Sequence, residues 1–365
     1  MRLLLHELPV PDLPDADAIW GATGRDALGR IWIGVSGKRF GSSGHLLRYD
    51  PDTENWTVAG RVLDALDRTG LAEPGMGQVK LHSRIVQADD GWMYFTSMDE
   101  EGEREDGSAM PKWGSHLWRV HPDTLEWQHR FASPDALIAL GAAGDSVWAL
   151  GYWNHVVVHH DIRNATTTRT IAGSLAGHIS RNMVVDARGR AFVPRLSGGQ
   201  AELLELDASL QVQGRSALPG YAMPGDPGAN HGITGLVTRA DGAAWFTTHA
   251  GKLFGITSAA DSAATVSALG DFHPAGGGYA PSLFLLDDGT TLAGVVQRGS
   301  RFDWVERDLL RGRAHSVALD TSKWSGLLLY GSMTRDRAGR FYVVGRADKA
   351  KGHRPLVVAI ERVAG

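Results

Sequence analysis

A few side chains in this sequence stand where a strand would ordinarily carry something apolar or small, and their types suit proton transfer and carboxylate binding. His82 opens a strand within "VKLHSRIVQADDGWMYFTS", Val79 to Ser97, with Lys80 two positions before it. His231 sits between glycines in "GANHGIT", Tyr152 lies in "LGYWNH", and Arg195 ends the apolar run of "FVPRLSGG". An ordinary histidine titrates near 6.5, so it can accept or donate a proton close to neutrality. Arginine grips a carboxylate through two parallel hydrogen bonds, and glycine lets a ligand approach the backbone. Each residue also has a bland alternative. His82 could hydrogen-bond a neighbouring strand, Arg195 could form a structural ion pair, and Tyr152 could simply pack.

The elements that must position these residues repeat along the chain. An apolar strand, a tight Asp-Gly type turn and an aromatic strand recur in "GRDALGRIWIG", "VQADDGWMYFTS", "VVDARGRAFVPR", "VTRADGAAWFTT", "FLLDDGTTLAGV" and "TRDRAGRFYVVG". "LGAAGDSVWALG" is a weaker seventh copy, with Asp145 at the turn position. A third strand follows most copies, and the shared "PDTxxW" ending at Trp56 and Trp127 marks a common repeat unit. Few segments have helical periodicity. Seven units of roughly fifty residues with three or four strands each predict an all-β, seven-bladed β-propeller. The last copy has only three obvious strands, and "RLLLHEL" at the start has no local partner. The N-terminal strand is therefore expected to complete the last blade and remove an open edge. Residues 1–365 read as one domain.

In such a fold the first strand of each blade lines the centre. Counting back nine residues from each turn position gives Trp20, His82, Ala136, Ser180, Ile233, Ala280 and Tyr330. Their neighbours include His178, Arg181, Asn182, His231 and Tyr279. The ends of the aromatic strands add Lys38, Asp99, Tyr152, Arg195, His249, Arg298 and Arg346. The candidate catalytic residues are His82, Tyr152 and His231. The candidate binding residues are Arg195, Arg181, Arg298, Trp20, Tyr279, Tyr330 and His178. This mixture of cations and flat rings suits an anionic sugar.

Composition narrows the partners. The formal net charge is -4 with no basic block, which argues against nucleic acid. There is no cysteine, so neither disulfides nor thiolate metal sites arise. "MRLLLHELPVPDLPD" does not read as a signal peptide and no stretch is long enough to span a bilayer, so a cytoplasmic protein without membrane contact is expected. A monomer or weak homo-oligomer fits. No cofactor is demanded, and a divalent cation such as calcium or manganese could be accommodated. Asp99 and Glu100 match no recognised calcium-loop spacing. They begin a long acidic insertion, Ser97 to His116, which reads as a solvated loop or a lid. His159 and His160 read as a strand pair rather than a metal site.

"HSRIVQADDGWMYF" followed by "HLWRVHPDT" resembles the seven-bladed propeller polysaccharide lyases, such as ulvan lyases and rhamnose–glucuronate lyases. "HGITGLVTRADGAAWFTT" is similar to a blade of the streptogramin lyases. The first resemblance implies β-elimination at a uronic acid, with His82 and Tyr152 exchanging protons and Arg195 facing the carboxylate. The chain departs from the ulvan-lyase pattern in lacking a second histidine about twenty residues on. It departs from the streptogramin-lyase pattern in carrying Thr248 where an acidic residue follows "WFT". A lactonase-like propeller hydrolase and a non-catalytic binding or scaffold propeller stay open beside the lyase.

Overall fold

The computed structural model describes residues 2–104, 108–175, 177–221, 232–258 and 262–363. Among them the chain forms seven antiparallel sheets, six built from consecutive strands and the last completed by the first strand, with one short α-helix, Val62–Arg68, and a 3-10 turn, Trp153–His155. The helix is not expected from the strand pattern; it buries Val62, Ala65 and Leu66. It is too short to be stable by itself, so this packing is what holds it.

Two compact units divide the chain: Met1–Leu140 with Thr321–Gly365, and Gly141–Asp320. The first unit holds three sheets. In the last blade Leu328–Arg335, Phe341–Asp348 and His353–Val363 are joined by Arg2–Glu7, which pairs antiparallel with His353–Val363 from Arg2 opposite Val363 to Glu7 opposite Val358. The N-terminal strand thus takes the outer position expected of it. Its Glu7 carboxylate accepts from the Trp324 indole at 2.6 Å, a second tie to the same blade.

In the first two blades the opening strand is broken. Ala16–Ala18 and Thr23–Arg25 both pair with Ile31–Gly37, and residues 19–22 lie in the gap. Lys80–Leu81 and Val86–Gln87 both pair with Met93–Met98, and residues 82–85 lie in the gap. In the last blade the register of Leu328–Arg335 shifts between Tyr330 and Thr334. Such irregularities release side chains from strict alternation and re-aim them.

The second unit carries Ser146–Gly151 with its partners Val156–Asp161 and Thr166–Ile171, and three further four-stranded sheets that begin at Val184–Val185, Ile233–Thr238 and Phe284–Leu285.

The turn motif has a device the Asp-Gly reading overlooked. In "DALGR", "DARGR" and "DRAGR" the glycine takes a positive φ, 95° at Gly29, 79° at Gly189 and 89° at Gly339. The aspartate three residues earlier is buried at each site. Asp26 accepts from the Leu28 and Arg30 amides at 3.0 Å, from Arg30 Nε at 2.7 Å and from the Trp32 indole at 2.9 Å. Asp186 and Asp336 bind the arginine after the turn in the same way, and Asp336 also accepts from the Tyr342 hydroxyl at 2.8 Å. These carboxylates are spent on architecture.

The outer turns repeat as well. Glu54 and Leu125, at equivalent places in the two "PDTxxW" stretches, take φ of 56° and 59°, and Ala165 and Leu210 do the same in the blades where that motif has faded.

Candidate functional site

Three of the positions reached by counting back from the turn glycines fall together in the first unit. The Trp20 indole lies 4.4 Å from the Tyr330 ring and 6.5 Å from the His82 ring, and it is nearly parallel to the imidazole, at 12°. All three residues stand in or beside the strand irregularities just described, which is how three neighbouring blades can turn large rings toward one another. Gly21 makes this approach possible. Its φ is 101°, and a Cβ there would meet the Gly331 carbonyl oxygen at 2.5 Å. The two backbones touch directly beneath Trp20 and Tyr330.

Two cations complete the group. Lys80 Nζ sits 4.7 Å from the Trp20 ring centroid and Arg346 Cζ 5.7 Å from it, both within cation–π reach. Each is steadied by a carboxylate: Lys80 pairs with Glu100, and Arg346 Nη1 lies 3.7 Å from Asp17 Oδ2. Arg346 Nε is buried and has no hydrogen-bond partner. Trp20, Tyr330, Lys80 and Arg346 are all half-buried, whereas His82 is 4% exposed. Lys80 reaches Trp20 from the short strand Lys80–Leu81, just before the break that holds His82. Glu100 comes from the acidic insertion and anchors its start beside the rings. The insertion is further held by the Asp99 carboxylate, which accepts from the Trp113 amide at 3.2 Å. Burial pushes the Asp99 pKa up.

The second unit holds a different group. His155 and His178 are packed 4.6 Å apart. Nδ1 of His155 contacts the Pro194 carbonyl oxygen at 2.7 Å, and its Nε2 accepts from the Ser180 amide at 3.2 Å. Nδ1 of His178 contacts Ser174 Oγ at 2.7 Å, and its Nε2 contacts the Tyr221 hydroxyl at 2.8 Å. Burial pushes the His155 pKa down to about 4 and that of His178 lower still. His178, expected to bind ligand, is therefore a core residue with both ring nitrogens engaged.

The remaining candidates separate. Arg195 gives its guanidinium to Glu202, directly across the sheet, and to the Ala172 carbonyl oxygen at 3.3 Å. The reason is register: the strand pairing sets Arg195 opposite a carboxylate, which sequence alone could not reveal. Arg195 lies in the second unit, whereas Trp20 and its neighbours lie in the first. Arg298 is exposed at a hairpin end, opposite Arg301. Tyr152 is buried with its ring 5.5 Å from Trp153. It belongs to the second unit and His82 to the first. Tyr279 lies 5.0 Å from His249 and feels the positive charge of Arg181. His231 lies outside the described residues. Among the described residues no three His, Asp or Glu side chains group as metal ligands, the His159–His160 pair included. Among the described residues no helix is long and apolar enough to cross a membrane.

No family model and no curated protein matches the chain. Solved structures do. The β-propeller domain of Cps50 (Swd1) from Myceliophteria thermophila is 13% identical, with a TM-score of 0.59 over 99% of this chain and 100% of that one. The RRP9 WD40 repeats are 8% identical, with a TM-score of 0.57 over 98% of this chain and 97% of theirs. The periplasmic gluconolactonase PpgL of Pseudomonas aeruginosa is 14% identical, with a TM-score of 0.53 over 99% of both chains. At these identities the likeness is one of fold: the chain is a seven-bladed β-propeller. Its structural neighbours include an enzyme and WD40 proteins, and the fold alone assigns no chemistry.

Proposed function

We propose that the Trp20 group binds a uronic-acid-containing oligo- or polysaccharide and that the protein cleaves it by β-elimination. The observation that carries this reading is the gathering of an indole, a phenol, an imidazole and two tethered cations within one half-buried cluster. The indole offers a flat surface for a sugar ring. Arg346, with an unengaged Nε, and Lys80 would meet the carboxylate. As the C5 proton leaves, negative charge builds on that carboxylate, and cations already fixed in place stabilise it without reorganising. The C5–H electron pair forms the C4=C5 double bond, and the C4–O bond breaks. One group must take the C5 proton and another must protonate the departing oxygen. His82 and Tyr330, whose rings both lie near the indole, fill these parts, so the tyrosine role moves from Tyr152 to Tyr330.

The near-complete burial of His82 supports a second reading, in which the same cluster binds the saccharide and does not turn it over. Both readings are tested by incubating the protein with uronate-containing glycans and following the ultraviolet absorbance of the unsaturated uronate product. Quenching of tryptophan fluorescence is recorded in parallel. Absorbance growth supports the lyase, quenching without growth supports the binder, and neither signal with any uronate glycan overturns both.

A further inference from the structure

A second pocket in the first unit contains none of the Trp20 group. It encloses about 260 Å³ and is lined by residues of three segments: Pro14 and Asp15, the loop from Arg39 to Ser43, and the facing strand residues His45 and Arg61. Arg39 pairs with Asp15, with Nε at 3.1 Å from Oδ1. Arg61 Nη1 reaches Asp64 at 3.2 Å, and this pair is exposed.

The pocket carries an excess of unmet hydrogen-bonding capacity. His45 is 1% exposed, and neither of its ring nitrogens has a partner. Ser42 Oγ and Arg61 Nε are likewise buried without one. Burial and the neighbouring Arg61 push the His45 pKa down, against weaker opposing effects of Asp64 and Asp15, so its imidazole is neutral near pH 7. A neutral imidazole has one N–H donor and one acceptor nitrogen. Leaving such groups buried and unpaired costs about 1–3 kcal/mol each, and their concentration at one cavity calls for an occupant.

The chemistry of the lining selects that occupant. The Ser42 hydroxyl, Arg61 Nε–H and an imidazole N–H are three donors for one oxyanion. The remaining imidazole nitrogen is an acceptor and wants a hydroxyl. The two guanidinium groups are offset by Asp15 on the wall and by Asp64 beside Arg61, so the site has no surplus charge to hold a dianion and suits a monoanion held by hydrogen bonds. We infer that this pocket binds a small hydroxy-carboxylate, with the carboxylate on Arg61 and Ser42 and a hydroxyl at His45. The exposed Phe40 stands at its edge.

The test is the thermal stability of the full chain titrated with glycerate, with propionate and inorganic phosphate as comparators. Imidazole nitrogen resonances are followed in the same titration. Glycerate should raise the melting temperature saturably and shift the His45 resonances, and propionate and phosphate should be weaker. Arg61→Ala should weaken glycerate binding about tenfold or more, the size expected for a hydrogen bond to a charged group. His45→Gln, which keeps a donor and an acceptor, should bind better than His45→Leu. Trp20→Ala should leave glycerate binding unchanged, which separates this pocket from the glycan site. Absence of any shift in the wild-type protein, or a preference for phosphate, overturns the inference. So does unchanged glycerate binding in Arg61→Ala.

Discussion

The two histidine-containing groups of this molecule grow from comparable stretches, "LHSRIV" in the first unit and "GHISRNMVV" in the second, yet they end in different surroundings. In the second unit His155 and His178 are wholly buried, and each ring nitrogen meets a hydrogen-bond partner. In the first unit His82 lies against a half-buried indole flanked by a phenol and two cations. A satisfied pair in a dry interior is a brace. Mixed aromatic and cationic side chains around a partly open ring are the makings of a binding surface. The difference lies in the company the imidazole keeps rather than in the presence of the imidazole.

Substitution within the brace should break the fold before anything else. His155→Ala removes a buried ring and strands the Ser180 amide and the Pro194 carbonyl. A loss of about 3 kcal/mol is expected from the cavity and the unmet groups together, measured by denaturant unfolding. A change below 1 kcal/mol would show that the pair is not a brace. The turn aspartates set the same scale. Asp186→Ala removes one of the two buried carboxylates that hold Arg190 and strands the Arg188 and Arg190 amides, a loss of about 1–3 kcal/mol with Glu205 still paired at 2.6 Å.

The brace also predicts an acid limit. The unfolded chain protonates His155 near its ordinary value of about 6.5, while the folded chain resists until about pH 4. Between those values the unfolded state binds more protons, so stability is full above 6.5 and falls as the pH drops toward 4. The loss from this group is about 3 kcal/mol. His116, held down to about 4 by burial and by His129 at 3.0 Å, acts in the same direction. Unfolding free energies measured across this range should decline, and a flat profile would mean that these rings already carry protons or lie open to water.

Smaller effects are expected at the edge of the binding group. Lys80→Met removes one cation and frees Glu100, so affinity for a uronate glycan should drop about tenfold while the melting temperature hardly moves. Equal affinity for Lys80→Met and wild type in a fluorescence titration would remove Lys80 from the site.

How far the sequence revealed all this depended on the kind of order involved. Blade number and the outer place of Arg2–Glu7 were readable because turn glycines and alternating strands are local signals. Counting from those glycines also brought Trp20, His82 and Tyr330 out as a set. It could not tell Tyr330 as a partner from Tyr152, since that depends on which strands break and where a register shifts. The pairing of Arg195 with Glu202 was not legible because strand register sets it, nor were the contacts of His178 with Ser174 and Tyr221, which lie on separate segments. The buried aspartates of the "DxxGR" turns were visible as letters, but their bond to the following arginine needs the turn geometry.

The proposed contrast sets a proton-transferring His82 against a bracing His155. The most direct measurement is turnover of a uronate-containing glycan by His82→Ala, read as unsaturated uronate, beside its melting curve. The account predicts that turnover falls about a hundredfold or more, the usual loss for a general acid–base group, while the melting temperature falls much less than that of His155→Ala. Full turnover by His82→Ala, or unfolding of that variant like His155→Ala, would contradict it.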